Sequence, residues 1–153
     1  MSKALSEQKK IALLCINEIG EKSALFIKQK DNSLFLFRKK KSEGCRDFAA
    51  PLFCEYDGLV FFCAAGIAVR MIAPLIESKY TDPAVVVVDN ACRQVISLLS
   101  GHEGGANNLA YYIAGLISAE PVITTATEAQ KSFVLGIGSV AGVDKDTVVK
   151  TVI

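Results

Sequence analysis

The chain has 153 residues, the size of one ordinary domain, and its 51% hydrophobic and 22% charged residues exclude disorder and support a single buried core. A formal net charge of +1 gives no electrostatic case for nucleic acid or an anionic membrane as a partner. The mean hydropathy of +0.35 is high for a soluble protein, yet the longest apolar runs, Leu59 to Ala65 and Ala84 to Val88, fall far short of the roughly 20 residues that span a bilayer.

The first ten residues are polar and basic, and no small-residue cleavage site follows the next apolar run. That run, Ile11 to Ile16, therefore reads as a first buried strand and not as a secretory signal. Asn17 is placed to cap a helix through about Lys28, with Ile19, Leu25 and Phe26 on its apolar side. Leu34 to Phe37 reads as a second strand, and the basic Arg38 to Lys41 as the start of a solvated loop. Arg46 to Tyr56 holds a helix that Pro51 is expected to shorten or kink. Leu59 to Ala65 is the clearest buried strand, ended by Gly66. Ile67 to Lys79 is helical in spacing, with a kink or restart at Pro74. Ala84 to Asp89 and Gln94 to Leu99 are strands separated by four residues, too few for a crossover helix, so the pair reads as an antiparallel hairpin. Ala106 to Ile117 is a helix, Pro121 to Thr125 and Phe133 to Ile137 are further strands, and Asp144 caps a last helix. Strands alternating with helices predict an α/β fold: three layers, a mostly parallel sheet with helices on both faces, and one β-hairpin.

Cys15, Cys45, Cys54, Cys63 and Cys92 are odd in number and form no C-x-x-C pair. Four of them lie in or beside apolar runs, so they read as buried, reduced thiols of a cytoplasmic protein. With one histidine and no ligand spacing, no metal site is expected.

Three segments could carry chemistry. In Ser100-Gly101-His102-Glu103-Gly104-Gly105-Ala106-Asn107 a glycine-rich loop runs from strand to helix. Glycines allow close backbone approach, and a helix N-terminus favours an anion such as a carboxylate or phosphate. The same sequence also suits a plain tight turn. Imidazole as a group titrates near neutrality, so His102 is a candidate general acid or base, or a structural histidine bonded to local backbone. Glu103 is a second catalytic candidate or a solvated acid. No Gly-Lys-Ser/Thr and no G-x-G-x-x-G accompanies the loop, which disfavours nucleotide binding. The second segment is Gly66-Ile67-Ala68-Val69-Arg70, another glycine at a strand end. Both glycine turns could face one crevice, with Arg70 gripping a substrate carboxylate or forming an ordinary ion pair. The third is Pro121 to Glu128, where Thr124 and Thr125 could donate to a bound carboxylate or simply suit a strand. Lys79 and Asp82-Pro83 read as a turn, and Asp89 as the residue that closes the hairpin.

Taken in order and spacing, Gly66-Ile67-Ala68-Val69-Arg70, Ile72-Ala73-Pro74-Leu75, Lys79, Asp82-Pro83-Ala84-Val85, Ile96 to His102, Gly104 to Asn107 and Pro121 to Thr127 resemble the N-terminal part of the CbiG family, the cobalt-precorrin-5A hydrolases of anaerobic cobalamin biosynthesis. The resemblance implies residues 1–128 as a CbiG N-terminal-like α/β domain, and 129–153 as a short linker with the truncated start of a C-terminal domain. Ser118-Ala119-Glu120 stands where a glycine is usual, and Glu128 where aspartate is. The implied activity opens the ring A δ-lactone of cobalt-precorrin-5A and releases acetaldehyde, giving cobalt-precorrin-5B. Water is the cosubstrate, and no separate cofactor is needed because the substrate carries the cobalt. On this reading His102 and Glu103 are catalytic, while Gly66, Arg70, Ser100, Gly101, Gly104, Gly105, Asn107, Thr124 and Thr125 bind substrate. Partner expectations are the corrinoid itself and either a homo-oligomer or a separate C-terminal domain. The alternative is a non-catalytic tetrapyrrole-binding module that needs that C-terminal partner.

Overall fold

The computed structural model describes residues 9–126, and the chain divides after Ile123 into two units, Met1–Ile123 and Thr124–Ile153. All elements below belong to the first unit. The expected strand Phe133 to Ile137 and the helix capped by Asp144 lie outside the described residues.

β1 (Ile11–Cys15) is a five-residue apolar run, buried from Ala12 onward. Asn17 ends it and starts α1 (Glu18–Lys30): its backbone is extended at φ −141°, and its side-chain oxygen accepts from the Gly20 amide at 2.8 Å. That bond satisfies one of the donors every helix start leaves open. Glu18 and Glu21 in the first turn and Lys28 and Lys30 in the last complement the helix dipole. β2 (Phe35–Arg38) follows, largely exposed.

α2 (Cys45–Glu55) runs unbroken through Pro51, so the expected shortening does not occur. Pro51 lies on the exposed side, where water can satisfy the carbonyl its ring leaves unpaired, while Phe48, Ala49, Leu52 and Phe53 bury the opposite side. β3 (Gly58–Phe62) is buried throughout. It stops before Gly66, which is the second residue of α3 (Ala65–Ile72) and does not end the strand. The helix expected to reach Lys79 ends at Ile72. Pro74 brings no amide donor, so the chain tightens into a 3-10 turn at Ala73–Leu75 and becomes extended at Ile76. The turn before the next strand is held by Asp82, whose carboxylate accepts from the amides of Glu77 and Ser78 at 3.1 Å.

β4 (Ala84–Val88) and β5 (Gln94–Leu99) form the antiparallel hairpin that their spacing predicts. Asp89 closes it, its carboxylate accepting from the amides of Ala91, Arg93 and Gln94 at 3.2, 2.7 and 2.7 Å. Burial is the largest single influence on Asp89 and opposes ionisation. The amides of Gln94, Arg93 and Ala91, with the Arg93 charge, outweigh it and hold the carboxyl below its ordinary value. α4 (Ala106–Ile117) ends at Ser118, left-handed at φ 55°. That conformation suits glycine best. β6 (Glu120–Val122) completes the sheet, with Pro121 on an edge strand where its missing donor does least harm.

The six-stranded sheet has the order β2-β1-β3-β4-β5-β6. β2, β1, β3 and β4 are mutually parallel, whereas β5 is antiparallel to β4 and β6 parallel to β5. Strand alternation sorts the core into two halves. Leu13, Val60, Phe62, Val86 and Val88 meet Ala24 and Ile27 of α1 and Leu109, Ala110 and Ile113 of α4. Leu14, Leu59, Phe61, Val85 and Val87 meet Phe48 and Leu52 of α2 and Met71 and Ile72 of α3. The three-layer expectation is met. Each large side chain buried in this way, Phe61 and Phe62 first among them, contributes about 2–3 kcal/mol of hydrophobic stabilisation.

Candidate functional site

The hairpin decides where the two glycine segments lie. Connections from β1 leave on one side to β2 and from β2 on the other to β3, which makes the carboxyl ends of β1 and β3 a topological switch point of the kind that binds ligands in open α/β sheets. Gly66 and Arg70 belong to that end. β5 runs the other way, with Leu99 opposite Val85 at the beginning of β4, so the loop after it sits beside the amino ends of β1, β3 and β4. The expectation that both glycine turns face one crevice is therefore overturned. They lie at opposite ends of the sheet, roughly 15 Å apart by strand rise.

At the first end Arg70 folds back on its own helix, Nη1 donating to the Gly66 carbonyl at 3.3 Å. Its side chain is exposed and makes no ion pair among the described residues. The ion pair at that end, among the described residues, joins Arg38 to Glu21. Burial, then Glu21, pushes the Cys15 thiol up to about 12 against the opposing Arg38 charge. Burial likewise takes Cys63 to about 11, partly offset by the Ala68 amide. Both are buried, inert thiols as expected, whereas Cys45 and Cys54 are exposed and Cys92 half-buried, against the expectation, because none of these three lies within the sheet.

The loop at the second end is built from its own backbone. Ser100 is left-handed at φ 56°, and its carbonyl accepts from the Ala106 amide at 3.1 Å. The Gly101 carbonyl accepts from the Asn107 amide at 3.0 Å. Two amides at the mouth of α4 are thus taken by the loop itself, so the helix offers an anion less than its position alone suggests. What remains is one step earlier: among the described residues no hydrogen bond engages the amides of Gly104 and Gly105. Gly105 is left-handed at φ 88°. Gly104 lies so close to Ser100 that a Cβ there would stand 2.4 Å from the Ser100 Cβ and 3.0 Å from its carbonyl oxygen. Beneath it the Ser100 hydroxyl is buried with no hydrogen-bond partner.

Asn107 is 5% exposed and its Oδ1 accepts from the Ser97 hydroxyl at 2.8 Å, which ties β5 to α4. His102 and Glu103 are exposed at the loop tip. Neither makes a hydrogen bond or ion pair among the described residues. Thr124 is exposed and Thr125 half-buried, both in the second unit.

An open cleft of about 280 Å³ adjoins the loop, lined by Glu103, Gly104, Asp57, Asp82, Tyr56 and Lys9 among others. Asp57 is engaged by the Lys10 amide at 2.7 Å. Lys9 is the residue that sequence reasoning misses. Its Nζ reaches the Gly104 carbonyl at 3.5 Å across 95 positions, and a lysine in a polar leader before a first strand carries no signal of that contact. Among the described residues no group of His, Cys, Asp and Glu is arranged to hold a metal ion, and no helix is long and apolar enough to cross a membrane.

A doubly wound, three-layer α/β sheet extended by an antiparallel hairpin, with a glycine loop at the hairpin's far end, is the class of protein defined by this geometry. Residues 47–128, which contain both glycine segments, match the family model described as Cobalamin synthesis G N-terminal, and the chain belongs to that family. It is 55% identical over 85 residues to the cobalt-precorrin-5A hydrolase of Salmonella typhimurium, covering 56% of this chain and 24% of that one. It is 53% identical over 91 residues to the cobalt-precorrin-5A hydrolase of Priestia megaterium, covering 60% and 24%. The fold is similar to the crystal structure of a cobalamin biosynthesis protein G homolog from Sulfolobus solfataricus, with a TM-score of 0.63 at 29% identity over 75% of this chain and 36% of that one. The chain thus spans about a quarter of the length of the curated relatives it matches.

Proposed function

We propose that this chain acts in cobalamin biosynthesis as the loop-bearing part of a cobalt-precorrin-5A hydrolase, opening the ring A δ-lactone of that substrate with release of acetaldehyde. The observation that carries this reading is that the family match, residues 47–128, contains the whole loop with its two unengaged amides. Lactone opening adds water to the ester carbonyl and passes through a tetrahedral oxyanion. Preorganised backbone donors stabilise such an oxygen best where they have no other partner, which describes Gly104 and Gly105. His102 stands two residues away, exposed to water, and serves as the base that takes the water proton and returns it to the departing alkoxide. Glu103 beside it supports the charge on the imidazole. Loss of the proton from the freed alcohol then lets the carbon–carbon bond break, with acetaldehyde leaving and the electron pair retained by the macrocycle. The cobalt enters and leaves with the substrate, and the reaction belongs in the cytoplasm beside the other steps of the route. A separate C-terminal domain or a second copy of the chain completes the binding surface, since 280 Å³ is below the usual range even for drug-sized ligands.

The test is anaerobic incubation of the purified chain with cobalt-precorrin-5A, assayed for acetaldehyde and for the corrinoid spectrum. Release is expected, and His102→Ala should lower it by at least a hundredfold while leaving the melting temperature unchanged. Unchanged turnover in that variant removes the histidine from the mechanism. Spectral change without acetaldehyde would leave a binding module in place of an enzyme.

A further inference from the structure

We propose that Lys9 is a positioning residue for the lactone-opening reaction: its ammonium holds the Gly104–Gly105 peptide in the orientation that presents the Gly105 amide to the developing oxyanion. The catalytic consequence rests on the hydrolase reading above; the holding of the peptide does not.

This peptide is fixed at both ends and loose between them. A Cβ on Gly104 would stand 2.4 Å from the Ser100 Cβ and 3.4 Å from the Asp82 carbonyl oxygen, so the Gly104 Cα is closely packed. Gly105 begins α4, and its carbonyl accepts from the Leu109 amide at 3.0 Å. Between two held Cα atoms the soft motion left is rotation of the rigid peptide plane, which moves carbonyl and amide together. Turning the plane over takes Gly105 from its left-handed φ of 88° into the negative region. Glycine populates both regions about equally, so the two residues do not themselves select one orientation.

Lys9 supplies the selection. Its Nζ donates to the Gly104 carbonyl at 3.5 Å and stands 3.2 Å from where a Gly105 side chain would begin, a place that glycine leaves open. No peptide bond among the described residues is cis, and in a trans peptide the N–H points away from the carbonyl. The ammonium on the Gly104 oxygen therefore sends the Gly105 N–H to the opposite side, where nothing engages it among the described residues. The reversed plane would place a carbonyl oxygen on that side, and it would repel an oxyanion. A donor on the carbonyl also polarises the peptide and strengthens its N–H as a donor.

The lysine is held in place by its neighbour. The Lys10 amide donates to the Asp57 carboxylate at 2.7 Å, and the Asp57 amide donates back to the Lys10 carbonyl at 3.0 Å. Glu55, Asp57 and Glu103 line the adjoining cleft, yet Lys9 forms an ion pair with none of them among the described residues.

The test compares Lys9→Met and Lys9→Arg with the full 153-residue chain, labelled with 13C and 15N. Lys9→Met should shift the Gly104 carbonyl and Gly105 amide resonances and leave the melting temperature unchanged. It should lower kcat for cobalt-precorrin-5A about tenfold at unchanged KM, the mark of an interaction made in the transition state. Lys9→Arg should restore most of both. Resonances and kcat unchanged in Lys9→Met overturn the positioning role. A raised KM at unchanged kcat would make Lys9 a substrate contact and overturn it as well. Shifted resonances, in a chain whose wild type releases no acetaldehyde, leave the held peptide standing and defeat the hydrolase reading instead.

Discussion

Two glycines at opposite ends of one sheet do different work. Gly66 lies inside a helix at the switch-point end, and a Cβ there would meet only Arg70 Nη1 at 3.5 Å, an ordinary contact. Gly104 lies in the loop after β5, and a Cβ there would collide with Ser100 at 2.4 Å. The first glycine is compatible with other residues, while the second is required by close backbone packing over a buried hydroxyl. A glycine next to a strand is therefore weak evidence of a site until its surroundings are known. The end with the conventional ligand crevice holds inert thiols and a self-bonded arginine. The end created by the hairpin holds the Gly104 and Gly105 amides and the Ser100 hydroxyl, unengaged among the described residues, and the Lys9 ammonium on the Gly104 carbonyl.

The sharpest way to break this contrast is to add one methyl at each position. Gly104→Ala should destabilise the chain by about 2–3 kcal/mol, because the colliding atoms are backbone and a neighbouring Cβ that cannot rotate away. Gly66→Ala should do the reverse, raising stability by about 0.5–1 kcal/mol through helix propensity alone. Denaturant midpoints of the two variants measure both, and equal effects would erase the distinction.

A smaller effect concerns the hairpin that separates the ends. The Asp89 carboxyl is held below its ordinary value in the folded chain, so the stability it lends is fully present above about pH 4, the unfolded value, and fades as the pH falls through the lower folded one. Asp89→Ala should cost about 1 kcal/mol at pH 7, given that the turn is partly exposed, and less at pH 3. A cost that grows on acidification would contradict the assignment.

The smallest effect leaves stability untouched. Cys45 and Cys54 are exposed, whereas Cys15 and Cys63 are buried with thiols raised to about 12 and 11. A thiol reagent at pH 8 should modify the first pair in the native state and the second pair only after unfolding. Native labelling of Cys63 would mean that the switch-point end opens.

Much of the fold is legible in the residues because its signals are local. Four apolar runs too short for helices, a capping Asn17, a four-residue link between β4 and β5 and the spacing of Leu109, Ile113, Leu116 and Ile117 fix strands, hairpin and α4 without reference to anything distant. The errors arise where local rules meet packing. Pro51 breaks no helix because it faces water, and Pro74 ends one because it brings no amide donor for a further turn. Of the candidate site, the glycine loop is legible and its partner is not. Lys9 is 95 positions away from Gly104, and no periodicity or motif records that separation.

What the sequence determined by itself is the α/β class, the family and the loop, since apolar period, turn residues and motif order are all carried along the chain. What only the tertiary structure decided is which end of the sheet each glycine occupies, which amides stay free and which charge meets them. Strand direction reverses at the hairpin, and that single reversal carries the loop to the amino ends of β1, β3 and β4, where Lys9 waits before the first strand. Direction in space is a property of paired strands, and no residue read alone contains it.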